Sequence, residues 1–147
     1  MLQFTPREAG SKRMVIVGCG GLGASVATTL SEAGHTLHIL NPEREAFDRL
    51  PAGPIADGHI VPLIGGGRLQ RDLLNAAVQD ADVFMALTDS DSENALAAQM
   101  AKLIYRVPLV ICRIDDPTIQ GMYGGLGIVA ISATALVAQM ALEKAGA

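Results

Sequence analysis

Six short apolar runs, separated by segments of helical pattern, constrain the fold of this chain more than any other feature of its sequence. Each run is β-branched or continuously apolar, which is typical of strands buried on both faces of a sheet. Strands that alternate with helices pair in parallel through right-handed crossovers. The pattern predicts an α/β domain with a doubly wound parallel sheet. The runs are 14–17, 36–40, 60–64, 83–87, 109–114 and 128–131, and the helical segments lie near 22–33, 43–50, 69–79, 91–105, 117–123 and 133–145.

A glycine-rich loop joins the first run to the first helical segment. It reads Gly18-Cys19-Gly20-Gly21-Leu22-Gly23 and matches G-x-G-x-x-G in the strand-to-helix context of a Rossmann-type nucleotide-binding domain. In that context Gly18 permits the tight turn, Gly20 lets the backbone approach a pyrophosphate, and Gly23 lets the helix pack on the strand. Helix-start amides then supply a phosphate site. The alternative is a glycine turn kept for packing only.

The strand order expected for a Rossmann-type sheet is 3-2-1-4-5-6. This order puts the third strand at an edge of the sheet. The third run contains Pro62, which cannot donate a backbone hydrogen bond and belongs on an edge strand. Pro62 therefore agrees with the expected order.

The second run ends in Asn41-Pro42, at the position where a nicotinamide-binding domain normally carries Asp or Glu to hold the ribose hydroxyls. Asn41 can bond a ribose hydroxyl without charge and would not repel a 2′-phosphate, and Arg44 lies just downstream. Two interpretations stay open: a ribose contact with relaxed cofactor choice, or a cap for a helix that begins at Pro42.

Charge and composition argue against several classes of partner. The net charge is −4, and the chain has three Phe, two Tyr and no Trp. Nucleic-acid binding relies on basic patches and aromatic stacking platforms, so it is not expected. No apolar run reaches the roughly 18 residues of a membrane span, so no direct membrane insertion is expected. Cys19 and Cys112 show no metal-ligand spacing.

The sequence predicts a short tail followed by a single domain. Residues 1–11 are polar and read as a flexible tail, and residues 12–147 form one nucleotide-binding domain. With no disulfide framework and no signal peptide, the cytoplasm is the expected setting.

Several segments, in their order and spacing, resemble the regulator-of-potassium-conductance (RCK) family, also called KTN or TrkA-N domains. The resemblance covers about residues 12–145, and its most family-specific stretch is 81–94, Ala81 to Asn94. The matching segments are 15–23, 30–35, 45–50, 65–67, 81–94, 110–117 and 126–132.

The resemblance implies a domain that binds an adenine nucleotide, such as NAD(H), ATP, ADP or AMP, and regulates potassium flux. Such domains form homodimers or higher oligomers and act on the membrane subunit of a potassium channel or transporter, at the inner face of the membrane. It also implies site roles. The phosphate loop is 18–23, Asn41 contacts the ribose, the turn at Gly66 faces the adenine, and Thr88 and Arg113 face the phosphates or the distal half of the ligand.

This chain departs from the family pattern at three of these positions. The family commonly has Arg at the position of Gly21, an acid at Asn41 and Asp at Gly66. Each change removes a charged or hydrogen-bonding contact to the nucleotide, and a charge-assisted hydrogen bond contributes roughly 1.5–3 kcal/mol. The departures imply either weaker affinity or a different ligand.

Polar residues near the expected site allow a structural and a functional interpretation. The acidic cluster of Asp89, Asp91 and Glu93 suits a divalent cation or, more commonly, the capping of a helix. Arg113 suits a ligand contact at the carboxyl edge of the sheet or an ion pair with a neighbouring aspartate. By the family pattern, Asn94 is a structural hydrogen-bonding residue beside the site.

The last helical segment is apolar nearly all round, with Ala133, Leu136, Val137, Met140 and Ala141 on one stripe. Such a helix is expected to be buried by more than one domain face. It is predicted to form a dimer contact, and the alternative is a helix that lies flat on the sheet.

Three functions compete on these grounds. The first is a non-enzymatic nucleotide sensor that shifts the equilibrium of a potassium-transport partner. The second is a small NAD(P)-dependent oxidoreductase, which the absence of a substrate domain and of a Tyr-x-x-x-Lys pair disfavours. The third is a degenerate dimerisation module that binds no nucleotide.

Overall fold

A six-stranded parallel sheet forms the centre of the computed structural model, which describes residues 2–146. Every neighbouring pair of strands is parallel, and the order is β3-β2-β1-β4-β5-β6. The predicted fold class and strand order are therefore confirmed. The strands are β1 (Arg13–Val17), β2 (Thr36–Asn41), β3 (Ile60–Ile64), β4 (Val83–Ala86), β5 (Leu109–Arg113) and β6 (Val129–Ile131).

The three helical segments predicted at 69–79, 91–105 and 117–123 contain shorter α-helices than the sequence pattern predicts. The predicted segment 69–79 is divided by Ala77, which takes a left-handed conformation with φ of 60°, and the segment 91–105 ends in a π-helical turn. No helix within residues 2–146 is both long and apolar enough to cross a bilayer. The α-helices are α1 (Gly21–Glu32), α2 (Ala52–Ala56), α3 (Gln70–Asn75), α4 (Asp91–Gln99), α5 (Pro117–Gln120) and α6 (Ala133–Lys144), with 3₁₀ turns at Arg44–Arg49, Val78–Asp80 and Gly124–Leu126 and the π turn at Met100–Ile104.

The sheet has an apolar core on each face because successive side chains of a strand point to opposite faces. Ile16 and its neighbours pack with α1 and the 44–49 turn on one face, and Val15 and its neighbours pack with α3 and α4 on the other. Strands β1, β2 and β4 are almost fully buried, whereas β5 is buried only at alternate residues. This two-sided burial explains why β1, β2 and β4 read as continuous apolar runs rather than alternating ones.

The two edges of the sheet differ in their sequence. β3 forms one edge and places Pro62 opposite Ile39 of β2, so the edge position expected for this proline is confirmed. β6 forms the other edge and is three residues long.

Near β6, an apolar sheet face and the last helix both remain uncovered. Val129 and Ile131 lie on the same face as Ile111, and they are 45% and 37% exposed. None of the residues of α6 is buried, and the four large apolar ones are 54–69% exposed. The helix therefore does not lie flat on the sheet of its own chain. These four residues are Leu136, Val137, Met140 and Leu142.

The segment before β1 contains no helix or strand in residues 2–12, yet two of its side chains fix it to the domain. Phe4 is buried and stacks on His38 with ring centroids 3.7 Å apart. Arg7 donates two hydrogen bonds to Asp82, of 2.6 and 3.0 Å. The segment expected to be a flexible tail is thus packed against the sheet because Phe4 has apolar surface to bury. Met1 lies outside the described residues.

Candidate functional site

A cleft of about 440 Å³ opens at the carboxyl ends of β1, β2, β4 and β5. The chain leaves β1 toward one face of the sheet, where α1 packs, and leaves β4 toward the other, where α4 packs. Ligands of open α/β sheets bind at such a switch point. The volume lies within the range of small-molecule and cofactor sites.

Two glycines of the loop are required by the protein's own packing. Gly18 has a φ of +105°, and a Cβ there would lie 3.0 Å from the backbone of Leu87 and Thr88. A Cβ on Gly23 would lie 1.9 Å from the carbonyl oxygen of Gly18. The tight turn and the close helix–strand contact expected of these two positions are both present.

No packing contact inside the domain requires glycine at Gly20. Its φ is −74°, which any residue adopts, and a Cβ there would meet no protein atom within 4 Å. It is the N-cap of α1 and makes no side-chain capping bond, and the first amides of a helix lack intrahelical partners. The missing side chain leaves open space at the helix opening, where phosphate binds in sites of this type. The loop therefore fits a diphosphate group.

Asn41 fastens the glycine loop to the end of β2. Its Oδ1 accepts a hydrogen bond from the Cys19 amide at 3.0 Å, and its Nδ2 donates to the Glu43 carbonyl at 3.1 Å. No helix begins at Pro42; the 3₁₀ turn begins at Arg44, and no side chain caps it. The interpretation of Asn41 as a helix cap is therefore wrong, and its side chain lies in the wall of the cleft.

Cys19 is fully buried in the loop and lies close to Arg49. Burial raises the pKa of the Cys19 thiol, and the nearby Arg49 charge partly opposes this rise. The thiol donates to the Ala46 carbonyl at 3.5 Å. Because the thiol form is favoured, Cys19 packs and is not an activated nucleophile.

Asn94 organises the opposite wall. It is completely buried, and its Oδ1 accepts from both the amide and the hydroxyl of Thr88. Its Nδ2 donates to the carbonyls of Thr88 and Arg113, each at 2.9 Å. One side chain thus joins the ends of β4 and β5, as the family pattern implied.

Arg113 forms the predicted ion pair with a neighbouring aspartate, and its position at the cleft leaves the predicted ligand contact open. Its side chain lines the cleft and also pairs with Asp115 through Nη2 at 2.9 Å and Nε at 3.0 Å. Burial opposes ionisation of Asp115, but hydrogen bonds from the Thr134 amide and from Arg113 keep the pKa of Asp115 below its usual value. The guanidinium is therefore held at the edge of the cleft by a carboxylate.

Two members of the acidic cluster, Asp91 and Glu93, bind backbone and cationic groups of the protein itself. The Asp91 carboxylate accepts from the amides of Asp115 and Asp116, each at 3.0 Å. The Glu93 carboxylate accepts from the Gly67 amide at 3.2 Å and pairs with Arg68. Within residues 2–146, no group of three or more His, Cys, Asp or Glu side chains is arranged to hold a metal ion.

The cleft brings together all predicted site residues except Gly23 and Gly66. Gly23 lies behind the loop, and the Gly66 amide donates to Asp72 at 3.1 Å beside the cleft. Sequence reasoning missed six lining residues. Arg49 could have been predicted only from its place as a basic residue in the segment after β2. Glu93 is far from the glycine loop in sequence, and the sequence analysis treats it only as part of the acidic cluster. The six are Glu43, Ala46, Arg49, Leu87, Asp89 and Glu93.

The sheet order and the glycine loop at its switch point define a Rossmann-type domain with a nucleotide-sized cleft. The TrkA-N domain model matches residues 14–133, so the chain belongs to the TrkA-N domain family. This confirms the resemblance seen in the sequence.

A curated relative is the Trk system potassium uptake protein TrkA of Streptomyces coelicolor. It is 32% identical over 131 residues, which are 89% of this chain and 57% of the relative. A TrkA homolog of Pyrococcus abyssi is 34% identical over 71% of this chain and 44% of its own length. The chain thus spans about half the length of the curated relatives it matches.

Solved structures share the fold at low sequence identity. The TrkA-N domain of the inner membrane protein ybaL from Escherichia coli has a TM-score of 0.76 at 14% identity, covering 90% of this chain and 95% of that one. The AMP-bound Kef C-terminal domain of Shewanella denitrificans has a TM-score of 0.67 at 20% identity, covering 92% and 82%. The GsuK channel bound to NAD has a TM-score of 0.62 at 14% identity, covering 84% and 22%.

Proposed function

We propose that this chain is the nucleotide-binding regulatory module of a potassium uptake system and that it binds an adenine nucleotide in the cleft. The observation that carries the proposal is Gly20, whose missing side chain serves no internal packing and leaves the helix opening accessible. A relative that shares most of this chain is named a potassium uptake protein. Structures of the same fold hold AMP or NAD. The ligand classes are therefore NAD(H) and ATP, ADP or AMP.

The geometry supports a binding mode in which the ligand bridges two walls. Its phosphates lie against the amides that open α1, its ribose lies near Asn41, and its distal part approaches Thr88 and Arg113. The first wall belongs to β1 and β2, and the second belongs to β4 and β5. A ligand that binds one relative arrangement of subunits better than another shifts the population toward it. This shift is the proposed signal to a membrane subunit. The proposal includes a cytoplasmic location beside that subunit.

The lining of the cleft supports a sensor rather than an enzyme. It includes no His, Tyr or Lys among the described residues that could exchange a proton with a substrate. Of the lining carboxylates, Glu93 is engaged by Gly67 and Arg68, whereas Glu43 and Asp89 are exposed to solvent. The Cys19 thiol is buried. An oxidoreductase would need an acid or base within reach of the nicotinamide.

Assembly through α6 is part of the proposal. The apolar stripe of α6 and the uncovered face at Val129 and Ile131 are both exposed in the single chain. Contact with a second copy would bury both surfaces, and a shared helix gives a two-fold interface in which the same residues meet from each side. We therefore infer a homodimer, or a higher oligomer built from it.

Calorimetric titration with NADH, NAD, NADPH, ATP, ADP and AMP tests the nucleotide proposal. At least one of these is expected to bind, and Gly20→Ala is expected to weaken that binding roughly tenfold or more, because its methyl group occupies the path of the phosphate. The matched control is Gly53→Ala. Gly53 lies in α2, away from the cleft, and a Cβ there also meets open space. If no nucleotide binds at millimolar concentration, the chain is a structural dimerisation module instead.

A further inference from the structure

The ribose end of the cleft lacks the acid that normally selects an unmodified ribose. A carboxylate at the end of β2 accepts hydrogen bonds from the ribose hydroxyls and repels a 2′-phosphate. Here the position is Asn41, whose amide is bonded to the Cys19 amide and to the Glu43 carbonyl. The side chain therefore brings no negative charge to this end of the cleft. Its hydrogen bonds connect the glycine loop to the end of β2.

A cation occupies the place from which a 2′-phosphate could be bound. Arg49 lines this end of the cleft, and its Nη1 lies 3.5 Å from the Cys19 carbonyl oxygen. Within residues 2–146 no carboxylate lies within ion-pair distance of Arg49, whereas Arg113 at the other end is paired with Asp115. An unpaired guanidinium matches a phosphate group in charge and in geometry.

Glu43 is the lining carboxylate closest to Arg49 in the sequence, and its charge opposes a phosphate. Its side chain is exposed and makes no hydrogen bond with another described residue, so it can turn toward solvent. Arg49 is also exposed, but its Nη1 donates to the Cys19 carbonyl at 3.5 Å, which directs the guanidinium toward the loop. The geometry thus favours the cation over the acid.

On the basis of the proposed function, we propose that the cleft prefers adenine nucleotides that carry a phosphate on the 2′-oxygen of the adenosine ribose, the class to which NADP(H) belongs. Arg49 is the residue that determines this specificity. Asn41 permits the binding of a 2′-phosphate because it carries no negative charge that would repel this group.

Two probes that differ only in this phosphate test the inference: AMP and adenosine 2′,5′-bisphosphate, titrated calorimetrically at low salt. The bisphosphate is expected to bind roughly tenfold more tightly or better, as one charge-assisted contact allows. Arg49→Gln is expected to bring the ratio of the two affinities close to one. The control is Arg44→Gln, which removes a neighbouring arginine that does not line the cleft.

Asn41→Asp provides a test in the opposite direction. The aspartate can still accept from the Cys19 amide, but it loses the bond that Asn41 donates to the Glu43 carbonyl. Its charge is expected to favour AMP and NAD over their 2′-phosphorylated counterparts. Thermal unfolding confirms that each variant is folded before titration. Equal affinity of the wild-type protein for both probes, or an unchanged ratio in Arg49→Gln, overturns this inference and leaves the nucleotide site standing. Binding of neither probe, nor of any nucleotide in the panel, overturns the site and this inference together.

Discussion

The glycine loop shows that identical residues can be required for different reasons. Gly18 and Gly23 are fixed by close backbone contacts inside the domain, whereas Gly20 faces open space. Substitutions at these positions therefore separate folding from binding. A change at Gly23 acts on the free energy of unfolding, and a change at Gly20 acts on ligand affinity.

Gly23→Ala is expected to lower the free energy of unfolding by roughly 1–3 kcal/mol or more, because α1 must move away from Gly18 to admit the methyl group. Urea denaturation followed by circular dichroism measures the change. Gly53→Ala is the control and is expected to stay within about 1 kcal/mol of the wild-type protein. Equal stability of Gly23→Ala and wild type would contradict the close contact between loop and helix.

At the residue scale, the sequence predicts those residues of the candidate site that belong to a local motif. The loop 18–23 and Asn41 were found in this way, and Thr88 and Arg113 came from the family resemblance. The partners of these residues were not predictable, because the bond from Asn41 to Cys19 spans 22 positions. Arg49 lines the cleft from a 3₁₀ turn, whereas the sequence pattern predicts a helix after β2.

At the scale of elements, buried strands were easier to predict than helix ends. All six strands lie within about two residues of the apolar runs. A strand buried on both faces needs an unbroken apolar run, which is visible locally. The end of α3 instead depends on Ala77, a non-glycine residue in a left-handed conformation that only the surrounding structure can stabilise.

Val137→Glu in α6 is expected to weaken self-association by about 2 kcal/mol or more, since it puts a charge into the proposed interface. Analytical ultracentrifugation over a range of concentrations measures the dissociation constant. Gln139→Glu adds the same charge on the opposite side of the helix and serves as the control. A monomeric wild-type protein, or equal effects of the two variants, would argue against an interface formed by the stripe.

At the scale of the whole molecule, the first residues of the chain are linked to the interior of the sheet. Phe4 covers His38, whose Nδ1 lies 2.8 Å from the Ala76 carbonyl and therefore donates to it. Burial lowers the pKa of His38, and the hydrogen bond to Ala76 opposes this only in part. The folded protein thus favours the neutral form of the imidazole over the charged form.

The stability of the domain is expected to fall as the pH is lowered from 8 to 5.5. The unfolded chain takes up a proton on His38 near pH 6.5, while the folded chain resists protonation because its pKa is lowered. The uptake of one proton can lower the free energy of unfolding by no more than about 1.4 kcal/mol per pH unit. Urea denaturation at several pH values measures it. His38→Gln, which cannot titrate, is expected to show a smaller pH dependence, and an unchanged slope would assign the effect to other groups.

The two borders of the sheet also restrict how copies of the chain can meet. Pro62 interrupts the hydrogen-bonding capacity of β3, and β6 offers only three residues. Neither border is a good template for recruiting a strand from another molecule. Contacts between copies must then use side chains on helices and on the sheet face, and growth into a continuous intermolecular ribbon is disfavoured even where the protein is crowded.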